Sequence, residues 1–370
     1  MGVLRLGLRG FGHVGQAFAR ILAGRGDSLE REFGLRLVIT AASDATGAVW
    51  SASGLDPSAL LAAKAMRGLH RGAASAGASA KAVPQGAASL PEAMAEAGCD
   101  VLVDLSPTDV RTGGGALEDT RWALGAGLHL VTANKGPLVV AWRELHELAG
   151  ARGLRLKYGG ATAAALPTAT LAHYELAGSR ITRLEGVLNG TSNFILTAMS
   201  EGRGYQAALA EAQARGIAER DPSLDVEGVD TAVKLLLLCN SLFGMDLTLA
   251  EIPRQGIRGV AAADAQAARR RGGGLKLVAR AWREEPAEAG PSSPVGLPSL
   301  GRVRCEVAVA ELGPGHLLAH VDGTEKGIVY ETDLMGRLAV VGGGSGPTPA
   351  AASVLRDLIN LGRELEICRT

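Results

Sequence analysis

The chain has 370 residues, and its 38 Lys and Arg balance its 38 Asp and Glu, which gives a formal net charge of zero. A balanced charge gives no general attraction for nucleic acid or for an anionic membrane surface, so we expect neither as a partner. The hydrophobic fraction of 47% and the charged fraction of 21% exclude an intrinsically disordered chain. The four cysteines lie far apart, and neither a leader peptide nor a long apolar span is apparent, so we expect a cytoplasmic protein.

Strand-like and helix-like segments alternate over residues 1–158. Apolar runs of strand length lie at 3–8, 35–42, 100–105, 128–133 and 154–158, and helical patterns lie at 16–22, 116–124 and 140–151. This alternation predicts an α/β domain with a doubly wound parallel sheet of the Rossmann type. Residues 47–91 are small, polar and glycine-rich, and their sequence assigns no element.

The pattern changes near residue 159 and predicts a second, mixed α/β domain. Its predicted strands are 181–188, 303–310, 316–322 and 327–332, and its predicted helices are 194–201, 205–215 and 229–243. Residues 284–298 are rich in Pro, Ser and Gly, which is typical of a loop. A last helix is predicted at 353–363.

A glycine-rich turn separates the first predicted strand from the first predicted helix. It comprises Gly10, Phe11, Gly12, His13, Val14 and Gly15. Such a turn brings backbone N–H groups and a helix N-terminus against a pyrophosphate, so it predicts dinucleotide binding, with a purely structural turn as the alternative. Asp44, at the end of the second strand, is either a partner of the ribose hydroxyls or a cap of the local turn.

Two lysines and several carboxylates are candidates for the chemistry of a site. Lys135 follows the strand 128–133, so it emerges at the carboxyl edge of the sheet, where open α/β folds bind ligands, unless it is a solvated loop residue. Asp230 and Lys234 are four residues apart and share one helix face. They form either a structural ion pair or a functional pair at the edge of the apolar run that follows. The carboxylates upstream of Asp230 are either solvated or receive a substrate ammonium group.

Five segments, distributed over nearly the whole chain, carry a family resemblance. They are GFGHVG, TANKGP, LNGTSNFILTAMSEG, AERDPSLDVEGVDTAVK and GGGSGPTPAAASVLRDL. Together they resemble the short form of homoserine dehydrogenase, which lacks a C-terminal regulatory domain. The resemblance implies NAD(P)-dependent interconversion of aspartate 4-semialdehyde and homoserine by hydride transfer, in threonine and methionine biosynthesis.

The same resemblance assigns regions and residues to roles. Residues 1–158 would bind the dinucleotide, 159–335 would bind substrate and mediate assembly into a homodimer or homotetramer, and 336–370 would return to the cofactor domain. The candidates are Lys234, Lys135 and Asp230 for catalysis; Glu219, Asp225, Asn189, Gly190 and Thr191 for substrate binding; and Ser106 and Gly344, besides the glycine turn and Asp44, for the cofactor. In this scheme an ammonium group stabilises the negative charge on the reacting oxygen, carboxylates bind the substrate ammonium, and backbone N–H groups bind the substrate carboxylate.

The chain departs from the family pattern in two loops. Residues 159–167 have almost no side-chain bulk, so a cofactor or a sodium ion could approach the backbone near Thr162 and Ala164. Gly159 replaces the family's Glu there, and this loss of a carboxylate argues against a metal site. In the C-terminal loop, Gly343 replaces a Pro and Ala350 replaces a Thr.

Cofactor preference depends on the charge that follows the second strand. An acid there accepts hydrogen bonds from free ribose hydroxyls and repels a 2′-phosphate. Asp44 is such an acid, and no Lys or Arg follows it until Lys64, so we expect NAD to be preferred and NADP to be tolerated. Arg9 would reverse this preference if it reached a 2′-phosphate, and it is otherwise an exposed residue at a strand end.

Two other functions fit the same scaffold. Another nicotinamide-dependent enzyme, such as an aspartate-semialdehyde dehydrogenase, needs a nucleophilic Cys at a sheet edge, whereas Cys99 precedes a strand and Cys239 lies within an apolar helix. A noncatalytic NAD-sensing protein would be expected to lose the lysines, and both Lys135 and Lys234 are present. The sequence therefore favours the dehydrogenase.

Overall fold

The computed structural model describes residues 2–66, 68–70, 79–84, 89–284 and 302–369. The chain divides into two compact units, Met1–Ala165 with Gly346–Thr370, and Leu166–Ser345. The loop predicted at 284–298 lies, except for Glu284, outside the described residues. Across these ranges, none of the helices combines the length and the apolar character that a bilayer crossing requires.

Twelve strands and fourteen α-helices are found in the described ranges, together with a short 3-10 helix at Leu249–Glu251. The strands are β1 (Gly2–Arg9), β2 (Leu35–Asp44), β3 (Gly47–Trp50), β4 (Lys81–Pro84), β5 (Val101–Asp104), β6 (His129–Thr132), β7 (Leu156–Lys157), β8 (Ile181–Val187), β9 (Gly274–Arg283), β10 (Val303–Leu312), β11 (Lys326–Thr332) and β12 (Gly336–Gly342). The helices are α1 (His13–Phe33), α2 (Pro57–Ala65), α3 (Leu90–Ala97), α4 (Gly114–Gly125), α5 (Gly136–Val140), α6 (Trp142–Gly150), α7 (Gly159–Ala163), α8 (Ala169–Glu175), α9 (Gly190–Ser200), α10 (Tyr205–Ala214), α11 (Ser223–Val226), α12 (Val229–Phe243), α13 (Ala262–Arg270) and α14 (Pro347–Glu364).

The first unit is built on a seven-stranded sheet with the order β4-β3-β2-β1-β5-β6-β7. The strands from β2 to β7 in this order are parallel, and β3 and β4 extend one edge as antiparallel neighbours. The five strands predicted for residues 1–158 are confirmed as the parallel part. The antiparallel pair comes from residues 47–91, to which the sequence assigned no element.

Helices cover both faces of this sheet. Successive side chains of a strand point to opposite faces, and Leu6 of β1 is buried in one core cluster with Phe18 of α1 and Leu358 of α14. The next residue, Gly7, faces α3, because a Cβ atom there would lie 2.6 Å from Cε of Met94. This cover on both faces is the doubly wound arrangement, and it confirms the predicted fold class.

The second unit is built on an antiparallel sheet with the order β10-β9-β8-β11-β12. Helices α9, α12 and α13 pack against β9. Gly327 of β11 is paired with Val187, the last residue of β8, so the chain that leaves β8 passes the start of β11 before it enters α9. The mixed α/β character predicted for this part is confirmed.

Two sequence-based predictions of elements are wrong. Residues 316–322 form turns instead of a strand, with the N–H groups of His316 and Ala319 bonded to the carbonyls of Gly313 and His316. Two strands of the sheet were not predicted: β9, which pairs along its whole length with β10, and β12, which pairs with β11. The single helix predicted at 140–151 is interrupted at Ala141, whose φ of −137° separates α5 from α6.

We expect Leu358→Ala to lower the free energy of unfolding by about 2–5 kcal/mol, because the side chain is fully buried and its removal leaves a cavity. Urea denaturation measures this loss. Arg363→Ala, on the exposed side of the same helix, is the matched control and should change stability by about 0.5 kcal/mol or less. Equal losses for the two variants would contradict the packing of α14 into the core.

Candidate active site

The glycine turn between β1 and α1 has the geometry that a dinucleotide requires. Gly10 has a φ of 93°, and a Cβ atom there would lie 2.7 Å from the backbone of Ser106. At Gly15 a Cβ atom would lie 2.5 Å from the carbonyl oxygen of Gly10, which explains the small residue at both positions. Gly12 caps α1 without a side-chain hydrogen bond, and a Cβ atom there would meet nothing within 4 Å. The N-terminus of α1 is therefore open to a phosphate group.

The other residues of this turn are placed differently from one another. Phe11 is fully buried, so a ligand at the turn would meet its backbone rather than its ring. His13, the first residue of α1, is exposed, and Val14 is half-buried and packs against the core.

A buried hydrogen-bond network joins the carboxyl ends of β5 and β6 beside the turn. Ser106 Oγ donates to Asp104 Oδ1 at 2.6 Å, and Asn134 Nδ2 donates to Asp104 Oδ2 and to Ser106 Oγ, both at 3.1 Å. Asp104 is fully buried, and this burial raises the pKa of its carboxyl group. The network fixes the position of Ser106 next to Gly10. Asp104 was not among the predicted site residues, although an acid that ends an apolar strand could have indicated it.

The side chain of Arg9, at the end of β1, forms hydrogen bonds with other residues of the first unit. Its Nε donates to Asp119 Oδ2 at 2.7 Å and its Nη1 donates to Ser106 Oγ at 2.5 Å. Its side chain is 20% exposed. Arg9 is therefore not the exposed strand-end residue that sequence analysis offered as one alternative.

Asp44 lies at the end of β2 and is held by groups from two elements. Its Oδ1 accepts a hydrogen bond from the backbone N–H of Thr46 at 2.8 Å, and its Oδ2 forms an ion pair with Lys64 of α2. Burial raises the pKa of Asp44, but the Lys64 ammonium and the Thr46 donors outweigh it, so the pKa lies below its usual range. Lys64 belongs to the segment that the sequence left unassigned, which is why its position beside Asp44 could not be predicted.

Lys135 lies between β6 and α5, at the carboxyl end of the parallel sheet. Its backbone N–H donates to Thr108 Oγ1 at 3.4 Å, and its side chain is half-buried. The next residue, Gly136, donates its N–H to Asn134 Oδ1 at 2.9 Å. The loop that carries Lys135 is thus tied to the network around Asp104.

The second unit contains a network of two carboxylates, an amide and a lysine. Asn189 Nδ2 donates to Asp225 Oδ1 at 2.6 Å and to Asp230 Oδ2 at 2.9 Å. Lys234 Nζ lies 2.6 Å from Asp230 Oδ2 and donates to the carbonyl oxygen of Leu188 at 2.8 Å. The structure therefore brings together four of the predicted site residues, from the N-cap of α9, from α11 and from the first turns of α12.

This network is partly buried, and its charges affect one another. The side chains of Lys234 and Asp230 are only 14% and 16% exposed, so the pair is not a solvated ion pair on a helix surface. Burial and the nearby Asp230 carboxylate raise the pKa of Asp225, whereas hydrogen bonds from Asn189 and Thr191 lower it. An ammonium group fixed by two partners retains a third N–H donor for a ligand.

The remaining predicted substrate residues differ in how closely they approach this network. Gly190 begins α9, and a Cβ atom there would lie 2.9 Å from the carbonyl oxygen of Thr324. Thr191 Oγ1 donates to the carbonyl oxygen of Ile217 at 3.0 Å. Glu219 is exposed, and the structure does not place it in the network.

Gly344 is hydrogen-bonded to Lys326, a buried residue that was not among the predicted site residues. Its carbonyl oxygen accepts a hydrogen bond from Lys326 Nζ at 3.4 Å. Lys326 is the first residue of β11 and is 4% exposed. A lysine flanked by small and charged residues gives no pattern from which burial could be predicted.

The structure explains two departures from the family pattern. A Cβ atom at Gly159 would lie 2.7 Å from Oδ1 of Asp357, so a glutamate does not fit there without rearrangement. Gly343 has a φ of 74°, which the ring of a proline forbids. In the loop whose backbone a sodium ion could approach, Thr162 Oγ1 donates to the carbonyl oxygen of Gly159 at 3.1 Å, and Ala164 has a φ of 54°. Within the described ranges, no cluster of three His, Cys, Asp or Glu side chains could hold a metal ion.

Comparisons with known proteins agree with one another. The family model of homoserine dehydrogenase matches residues 167–359. An NAD(+)-dependent homoserine dehydrogenase from Pseudomonas canavaninivorans is 35% identical over 360 residues, which cover 96% of each chain. A homoserine dehydrogenase from Methanocaldococcus jannaschii is 32% identical over 355 residues, which cover 95% of this chain and 96% of that protein.

Comparison of the fold with solved structures gives the same result. A hyperthermophilic archaeal homoserine dehydrogenase, solved in complex with NADPH, matches with a TM-score of 0.77 and 26% identity over 98% of each chain. The family model covers more than half of the sequence, and the relatives align with nearly all of it. The chain therefore belongs to the homoserine dehydrogenase family.

Proposed function

We propose that this chain interconverts aspartate 4-semialdehyde and homoserine by hydride transfer, as a step of threonine and methionine biosynthesis. As a member of its family it is an oxidoreductase that uses a nicotinamide cofactor and a small-molecule substrate. The observation that carries the proposal is the network in which Asn189 joins Asp225 and Asp230, and Asp230 holds Lys234. This arrangement suits an amino-acid substrate, because the Lys234 ammonium group can stabilise negative charge on the reacting oxygen.

The first unit supplies the residues for the cofactor. The open N-terminus of α1 at Gly12 fits a pyrophosphate, and Ser106 and Asp44 lie at the ends of the neighbouring strands β5 and β2. When bound, the nicotinamide donates or accepts the hydride. The role of the chain is to hold and orient its partners, and Lys135 is the catalytic lysine that we assign to this unit.

Lys234 is the catalytic lysine of the second unit. Aldehyde reduction places negative charge on the carbonyl oxygen, and an ammonium group that is already oriented stabilises this charge and can transfer a proton to it. Asp230 and the carbonyl of Leu188 hold two of the three N–H groups of Lys234. Because these partners fix the ammonium before substrate binds, little reorganisation is needed during the reaction.

Carboxylates and backbone groups of the second unit bind the amino-acid end of the substrate in this proposal. Asp225 and Glu219 receive the substrate ammonium group, with Asp225 placed in the network and Glu219 exposed. Backbone N–H groups at Asn189, Gly190 and Thr191 receive the substrate carboxylate. This division of charge distinguishes an amino acid from a simple alcohol.

The alternative functions are not favoured. Cys99 Sγ lies 3.2 Å from Thr40 Oγ1, and burial raises the pKa of this thiol to about 11, which makes it a poor nucleophile. Cys239 is fully buried in α12. A noncatalytic sensor gives no reason for Lys234 to be held so closely by Asp230.

We propose NAD as the preferred cofactor and NADP as a tolerated one. The ionised Asp44 at the end of β2 supports NAD, because a carboxylate there repels a 2′-phosphate. Lys64 opposes this effect by neutralising Asp44, which supports the tolerance of NADP. Relatives are named for both cofactors, as an NAD(+)-dependent enzyme and as a complex with NADPH.

We further propose a cytoplasmic homodimer or homotetramer. All four cysteines are free, which is typical of proteins in reducing compartments. Large apolar side chains of the second unit are exposed, which supports a subunit interface there; they are Leu317, Leu334, Met335 and Val341. Light scattering on the purified protein measures the number of subunits.

A direct assay tests the proposed function. Purified protein supplied with homoserine and NAD or NADP should form reduced cofactor at a rate that saturates with homoserine. Aspartate 4-semialdehyde with reduced cofactor should give the reverse reaction. Absence of homoserine-dependent reduction with either cofactor would refute the proposal.

We expect Lys234→Ala to lower kcat for homoserine oxidation by on the order of 10²-fold or more, because it removes an ammonium group from the reacting oxygen. The dissociation constant of the cofactor, measured by fluorescence titration, should stay unchanged. Lys81→Ala, which removes an exposed lysine, is the control and should leave kcat unaltered. Near-normal turnover of Lys234→Ala would contradict the catalytic role and would show that the ion pair between Lys234 and Asp230 is only structural.

We expect Asn189→Ala to move the acid limb of the pH profile of kcat/KM to higher pH. Asp225 must be ionised to bind an ammonium group, so kcat/KM falls as the pH drops through its raised pKa. The amide of Asn189 favours the ionised form, and its removal raises that pKa further. Asn189 also caps α9 through Ser192 N–H, so stability should fall by ~1 kcal/mol. A limb that stays in place or moves to lower pH would contradict this role.

Cofactor preference should respond in opposite directions to Asp44→Ala and Lys64→Ala. The first variant removes the repulsion of a 2′-phosphate and should favour NADP relative to the unaltered protein. The second removes the neighbouring cation and should favour NAD. The measurement is kcat/KM for homoserine oxidation with each cofactor at fixed ionic strength. A tenfold NADP preference of the unaltered protein, about 1.4 kcal/mol, would overturn the role of Asp44.

A further inference from the structure

Lys326 is a buried lysine for which the mechanism above has no role. It is the first residue of β11 and is 4% exposed. The antiparallel pairing of Gly327 with Val187 brings it next to the chain that leaves β8, and the neighbouring Thr324 carbonyl lies 2.9 Å from the position of a Cβ atom on Gly190. Lys326 therefore lies beside the turn that begins α9.

The charges around Lys326 are those of the catalytic network. Lys234 and Asp230, both on α12, act on it electrostatically. Burial and the like charge of Lys234 lower the pKa of Lys326 to about 8, and Asp230 opposes them. Two ammonium groups near each other repel, and an anion placed between them relieves this repulsion.

Lys276 is a second buried lysine of the same unit, and it provides a matched control for Lys326. Lys276 of β9 is 2% exposed, and its Nζ lies 2.8 Å from Asp322 Oδ1 and donates to the carbonyl oxygen of Val321 at 2.6 Å. Its charge is thus matched by a carboxylate at hydrogen-bond distance. Lys326 Nζ donates to the carbonyl oxygen of Gly344 at 3.4 Å, and the charges of Lys234 and Asp230 act on it.

We propose that Lys326 is a positioning residue that binds the carboxylate of the amino-acid substrate. This inference rests on the proposed function. Homoserine carries one carboxylate, and the backbone N–H groups at the start of α9 would bind it without a countercharge. Lys326 lies beside this turn and supplies the countercharge, while Lys234 acts on the reacting oxygen at the other end of the substrate.

The test compares KM with kcat for homoserine oxidation in Lys326→Met. Loss of a charge-assisted hydrogen bond should raise KM by ~10- to 100-fold, whereas kcat should stay nearly unchanged. The inhibition constant of 3-aminopropan-1-ol, which has the ammonium and hydroxyl groups of homoserine but no carboxylate, should be the same in both proteins. Lys326→Arg keeps the charge and should restore part of the affinity. Lys276→Met is the matched control and should leave KM unaltered.

An unchanged KM in a folded Lys326→Met protein, or a loss of kcat alone, would overturn the assignment. A parallel loss of affinity for 3-aminopropan-1-ol would overturn it as well, since that ligand has no carboxylate. If Lys326→Met does not fold, the unaltered protein decides: KM for homoserine should rise as the pH passes about 8, where Lys326 loses its charge, and Lys326→Arg should lack this rise. A flat KM through this range refutes the role. An unaltered protein without homoserine oxidation refutes the proposed function, whereas an active one with an unaltered Lys326→Met refutes only this inference.

Discussion

The second unit depends on one amide group that two carboxylates share. Asp225 and Asp230 would repel each other in a partly buried site, and Asn189 donates to both of them. The same side chain accepts from Ser192 N–H and so begins α9. The position of Lys234 follows from this arrangement, because its Nζ bonds both to Asp230 and to the carbonyl that precedes Asn189. Strand β8, helix α9 and helix α12 are therefore fixed relative to one another at the point where the chemistry is proposed.

Local sequence patterns predicted much of the first unit and one helix face of the second. The glycine turn, the parallel strands and the face shared by Asp230 and Lys234 all depend on residues close together in the chain. Contacts between distant segments were not predictable in this way. Lys64 reaches Asp44 from a helix within a glycine-rich segment, and Lys326 reaches the network through the register of β11 with β8. The strand predicted at 316–322 is wrong, because these residues form turns after Gly313 instead of pairing into the sheet.

The surroundings of residues 159 and 343 explain why glycine replaces the residues of the family pattern there. The space that a side chain at residue 159 would need is filled by Asp357, a buried acid of α14, and Arg356 lies next to it. The backbone at Gly343 has a positive φ that proline cannot adopt. Both replacements thus reflect the geometry of this chain, and neither removes a residue of the network around Asn189.

A crystal structure with homoserine and the oxidised cofactor would test the account most directly. We expect the substrate hydroxyl to lie within hydrogen-bond distance of Lys234 Nζ and the substrate ammonium to contact Asp225. We expect the substrate carboxylate to lie at the start of α9. A complex in which homoserine binds away from Lys234, or with its carboxylate against Asp225, would contradict it.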